Sequence, residues 1–110
     1  MNKNENLARY IPDYIQVGGQ DIKVEYVNYI EGGSMGECCT ADGRLKIAFE
    51  AKGFITTNST RLNTFIHECT HLILDNMGRS ELSQDEQFVS TFAGFATEIL
   101  RSIIKQKENG

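Results

Sequence analysis

The sequence predicts an α+β domain: a small twisted sheet of about four strands in two hairpins, then two helices. Three observations carry this. Residues 21–30 and 45–50 alternate apolar and polar side chains, next to Gly18-Gly19 and Asp42-Gly43 turns. Residues 59–77 place apolar side chains at helical spacing and stop at Gly78. A second helical pattern follows Ser83-Gln84-Asp85-Glu86, which has the form of a capping box.

The 110 residues suit a single domain, 1–110, with a thin core. The apolar share of 40% and charged share of 24% are ordinary for a globular protein. Eleven basic and 15 acidic residues give a net charge of -4, without a basic run. Nucleic-acid binding through phosphates therefore has no electrostatic support. No apolar run is long enough to span a membrane, and residues 1–6 lack the apolar stretch of a signal peptide. A cytoplasmic protein is expected. Cys38, Cys39 and Cys69 are odd in number and two are adjacent, so reduced and mostly buried thiols are expected rather than disulfides.

In chain order, residues 1–13 read as a loosely attached arm. Leu7, Tyr10 and Ile11 form a short amphipathic turn there, ended by Pro12. Residues 15–17 form a short strand, and Gly18-Gly19 supplies the positive φ of a two-residue hairpin. In the strand over 21–30, Ile22, Val24 and Tyr26 alternate with Lys23 and Glu25 until Val27 breaks the pattern. A loop at 31–34, a short strand at 36–40 and the Asp42-Gly43 turn lead to a strand over 45–50. Residues 51–58 read as a loop.

The first helix starts near Asn58 or Ser59, either of which can cap it. At 100° per residue, Leu62, Phe65, Ile66, Cys69, Leu72 and Ile73 share one arc, the predicted core face. The second helix runs to about Lys105, with Phe88, Val89, Phe92, Phe95, Ala96, Ile99, Leu100 and Ile103 on its predicted buried side and a frayed tail over 106–110.

Opposite the core arc of the first helix lie His67 and His71, with Thr64 and Asp75 beside them, and the two histidines bracket the run His67-Glu68-Cys69-Thr70-His71. This H-E-x-x-H run contains both histidines of the chain. Two histidines four apart share a helix face and can grip one Zn2+. Glu68 can reach a water at that ion and act as catalytic base, taking the water's proton and returning it to a leaving amine.

A catalytic zinc needs a third protein ligand and an open position. The candidates are Asp75, Asp85 and Glu86. Asp75 lies a further turn along the same face, too far for direct ligation, and suits a supporting contact to His71. Asp85 and Glu86 approach from the start of the next helix, and Glu86 is favoured. Its competing role is as the capping-box glutamate. A donor to the carbonyl oxygen would come from Tyr10, Tyr14, Tyr26 or Tyr29, and the sequence does not choose among them. The strand Leu45, Lys46, Ile47, Ala48 and Phe49, if it lies at the sheet edge, would pair with an extended peptide.

The run Ile15-x-Val17-Gly18-Gly19, Gly36-Glu37, Leu45-x-Ile47, His67-Glu68-x-x-His71 and Glu86-x-x-Val89 resembles the small gluzincin-like metallopeptidases. These include the minigluzincins, the ImmA/IrrE-like peptidases and the compact HExxH proteins of phages and mobile elements. The resemblance covers residues 15 to about 100, and HExxH is its specific part. It implies a minimal zincin-like fold, zinc on His67, His71 and Glu86, Glu68 as base, and a protein or peptide substrate. The alternative is a zinc-binding regulatory or interaction module of the same fold with little turnover.

Overall fold

A computed structural model describes residues 3–109. It is α+β: a four-stranded mixed sheet, a small two-stranded sheet, and helices that close one face. Strands β1 (Tyr14–Val17) and β2 (Gln20–Val27) form the expected hairpin, with Gly18 and Gly19 at φ 60° and 79°. Strands β3 (Gly36–Cys39) and β4 (Arg44–Ala48) form the second hairpin, turning at Gly43. The hairpins join side by side through a parallel pairing of β2 with β4, which sets Val24 beside Leu45 and Tyr26 beside Ile47. The sheet order is β1-β2-β4-β3.

This order corrects the expectation that residues 45–49 line a sheet edge. Strand β4 is interior, paired on both sides, and Leu45 and Ile47 are fully buried. Lys46 stands between Glu25 and Glu37 on its neighbours, where opposite charges across strands are favourable. The edge next to the helices is β3. The loop expected at 51–58 contains a further hairpin, β5 (Glu50–Ala51) with β6 (Phe54–Ile55). Its turn uses Lys52 and Gly53, both at positive φ.

Helix α1 (Asn58–Asn76) packs across the sheet. Its N-cap is Thr57, one residue before the expected caps, whose hydroxyl accepts from the Thr60 N–H at 3.1 Å. Gly78 follows its end at φ 75°. Leu62, Phe65 and Leu72 enter the core with Ile22, Val24, Leu45 and Ile47, and Ile66 and Cys69 pack at its border. Ile73 does not: it is 47% exposed, because the apolar arc is wider than the surface that covers it.

The N-terminal segment is a 3-10 helix (Lys3–Tyr10) packed on α1 rather than a loose arm. Leu7 and Ile11 are core residues, and Tyr10 donates to Glu108 at 2.7 Å, with Arg9 on the same carboxylate. The short helix α2 (Ser80–Ser83) leads to α3 (Glu86–Asn109). Helix α3 continues through the expected frayed tail to Asn109; Gly110 lies outside the described residues.

The buried side of α3 differs from expectation. Val89, Ala93, Thr97 and Ile104 face α1, and Thr97 donates to Asn63 Oδ1 at 3.1 Å. Phe88, Phe92, Phe95, Ile99 and Ile103 are exposed. The helix is apolar over two adjoining arcs, and α1 covers only one of them.

Candidate metal centre

The site lies where α1, the start of α3 and the edge strand β3 meet. It is an open cleft of about 960 Å³, lined among others by Met35, Gly36, Cys38, His67, Glu68 and Glu86. His67 and His71 sit one turn apart on the α1 face that the core leaves free, with ring centroids 5.1 Å apart. Glu86 reaches both: its Oε2 is 3.2 Å from His67 Nε2 and its Oε1 3.1 Å from His71 Nε2. The three ligand atoms lie within 4.8 Å of one another, so the group can hold a metal ion. Two imidazole nitrogens and a carboxylate are a donor set that zinc accepts, with each at about 2.0–2.2 Å from the ion.

Glu86 is available because Asp85 takes over the cap. The Asp85 carboxylate accepts from the Phe88 N–H at 3.1 Å, and its carbonyl accepts from Val89. The competition between cap and ligand is thus divided between two adjacent acids. Asp85 does not join the cluster.

Asp75 also stands outside the cluster, although it lines the cleft. The supporting contact expected of it belongs to Ser83, whose buried hydroxyl is 3.0 Å from His71 Nδ1. With a metal on His71 Nε2, Nδ1 would carry the proton and donate to Ser83. Ser83 was visible in the sequence only as the first residue of a capping box. Instead it ends α2, and the turn into α3 swings it under His71.

Glu68 is buried at 7% exposure. Burial raises its pKa; the neighbouring His67 and His71 and a hydrogen bond with the Cys38 thiol oppose that, and Glu86 adds to it. The close approach of β3 that buries Glu68 depends on Gly36. A Cβ there would lie 2.4 Å from Thr64 Cγ2 and 3.1 Å from Glu68 Cγ. The sequence offered Gly36 only as the start of a strand. The thiol of Cys38 is pushed up to about 12, first by burial and then by the charge of Glu68. Cys38 points inward and Cys39 outward, as alternation on a strand requires; all three cysteines are free, but Cys38 and Cys69 are half-buried and Cys39 exposed rather than mostly buried as expected.

The four tyrosines do not line this cleft among its described residues. Tyr10 is committed to Glu108, and Tyr26 stacks on Phe49 at 5.1 Å. Among the described residues, no helix is long and apolar enough to cross a membrane. No protein-family model, curated protein or solved structure matches the chain.

Proposed function

We propose that the chain is a zinc-dependent peptidase of the small gluzincin-like kind, with zinc on His67, His71 and Glu86. The observation that carries this reading is the convergence of three donors from two helices within 4.8 Å, beside the buried carboxylate of Glu68. Bound there, zinc would supply Lewis acidity, polarising a carbonyl and bringing the pKa of a coordinated water toward about 7. With zinc bound, Ser83 would accept from His71 Nδ1 and hold the ring in its ligating tautomer. Glu68 accepts a proton from water and passes it to the leaving amine, and its burial favours the protonated form needed for the second step. The wall formed by β3 and Gly36 holds that carboxylate in place.

The peptide would lie along β3, not β4. Strand β3 is the sheet edge and borders the cleft through Gly36, Glu37 and Cys38. Its free backbone groups can pair with an extended segment. Glu37, Glu68, Asp75 and Glu86 line the cleft, and its described lining contains no lysine or arginine. That balance favours substrates with positive charge near the scissile bond.

The second reading, a zinc-binding module with little turnover, draws on the lack of a tyrosine, arginine or third histidine in the described lining. Incubation with a peptide mixture and mass spectrometry of the products separates the two. Cleavage by the zinc-loaded chain, abolished in Glu68→Gln with zinc content unchanged, is the expected result. No cleavage by a fully zinc-loaded wild type would overturn the peptidase reading.

A further inference from the structure

The exposed face of α3 has no role in the proposed chemistry. Phe88, Phe92, Phe95, Ile99 and Ile103 are between 37% and 64% exposed, and their spacing of four, three, four and four places them in one stripe along the helix. With a side chain offering about 200 Å² when fully exposed, the stripe presents roughly 500 Å² of apolar surface. That is already at the upper end of what a monomer shows.

We propose that this stripe binds the same stripe of a second copy of the chain, with the two α3 helices antiparallel. Three observations select this occupant. The first is self-complementarity. An antiparallel pair centred between Phe95 and Ala96 sets Phe88 against Ile103 and Phe92 against Ile99, twice over. Every large apolar side chain of the stripe then finds an apolar partner, as an isologous interface requires.

The second is orientation. An antiparallel pair opposes the two helix dipoles, so unlike ends meet. The third is area. Two stripes remove on the order of 1,000 Å² of apolar surface, and a flanking rim such as Thr91, Glu98 and Ser102 carries the total into the roughly 1,200–2,000 Å² of a stable dimer. The interface starts two residues from Glu86, so each partner would stand beside the other's cleft without closing it. This inference does not depend on the zinc reading.

Sedimentation velocity across a concentration series tests it. The wild type should sediment as a species of twice 12.4 kDa. Phe95→Glu, at a 64% exposed position that supports no core, should keep its circular dichroism and lose at least ~30-fold in dimer affinity. In a Cys39→Ser background, an oxidised mixture of Phe88→Cys and Ile103→Cys chains should form a disulfide between the two variants that neither forms alone. A wild type that stays monomeric into the hundreds of micromolar overturns the proposal and leaves the stripe to a different protein. A dimer that survives Phe95→Glu, or Phe88→Cys chains that cross-link to themselves, overturns the proposed face or register.

Discussion

Substituting Ser83→Ala isolates how the fold prepares His71 for an ion. The hydroxyl is 3.0 Å from His71 Nδ1, and Ser83 is 6% exposed, so water has little access to replace it. Leaving a largely buried ring nitrogen without its hydrogen-bond partner costs about 1–3 kcal/mol. Removing a hydrogen-bond partner behind a metal-ligating histidine lowers metal affinity by about 10–100-fold, or ~1.4–2.7 kcal/mol. The two routes agree, so the zinc dissociation constant of Ser83→Ala should rise by ~10–100-fold. Competition against a chromophoric chelator measures it. The metal-free variant should also melt a few degrees lower, by roughly the same free energy. Unchanged zinc affinity in a folded Ser83→Ala protein would refute the claim that this contact orients His71.

Other expectations rest on separate parts of the molecule. Gly36→Ala places a Cβ 2.4 Å from Thr64 Cγ2, so β3 must lift from α1; stability should fall by about 1–3 kcal/mol in urea titrations, and peptide turnover should fall more than zinc affinity. Leu7→Ala should cost about 2–4 kcal/mol, because the N-terminal segment is part of the core; a change within experimental error would restore the loose arm. Under native conditions a thiol reagent should label Cys39 and spare Cys38, whose pKa is pushed up to about 12. A folded-state pKa above the ordinary thiol value of 9.0 gives Cys38 a contribution that is fully present below pH 9.0 and is lost between there and about 12. Stability should therefore fall with rising pH in that window by less than ~1.4 kcal/mol per pH unit, given partial exposure, and Cys38→Ala should flatten that fall.

The hairpin turns and the helix stop were legible locally; the caps at Thr57 and Asp85 and the small hairpin over 50–55 were not, and the larger errors came from relations between distant segments. Gly18-Gly19 and Asp42-Gly43 set the two hairpins, and the Gly78 stop was in place. How the hairpins join was not legible. Strand β4 alternates equally well as an edge or an interior strand, and only the parallel pairing with β2 decides.

The helices carry the same lesson. Periodicity marks an apolar arc, but not how much of it a neighbour covers. On α3 the buried residues are Val89, Ala93, Thr97 and Ile104, with Leu100 packed at the core's border, and the phenylalanines stay outside. At the site, residue spacing brought out His67, Glu68 and His71, and the direction of approach favoured Glu86. Ser83 and Gly36 were missed in these roles because each acts through a contact across the fold. A serine in a capping box and a glycine in a strand have ordinary explanations that look the same in sequence.

The metal content of the purified chain tests the central claim most directly. Protein prepared without chelators and dialysed against trace zinc should hold one zinc per chain by elemental analysis. Glu68→Gln should keep it, and His67→Ala and Glu86→Ala should each lose it. A metal-free wild type, or full zinc retained by Glu86→Ala, would contradict the assignment of His67, His71 and Glu86 as a metal centre.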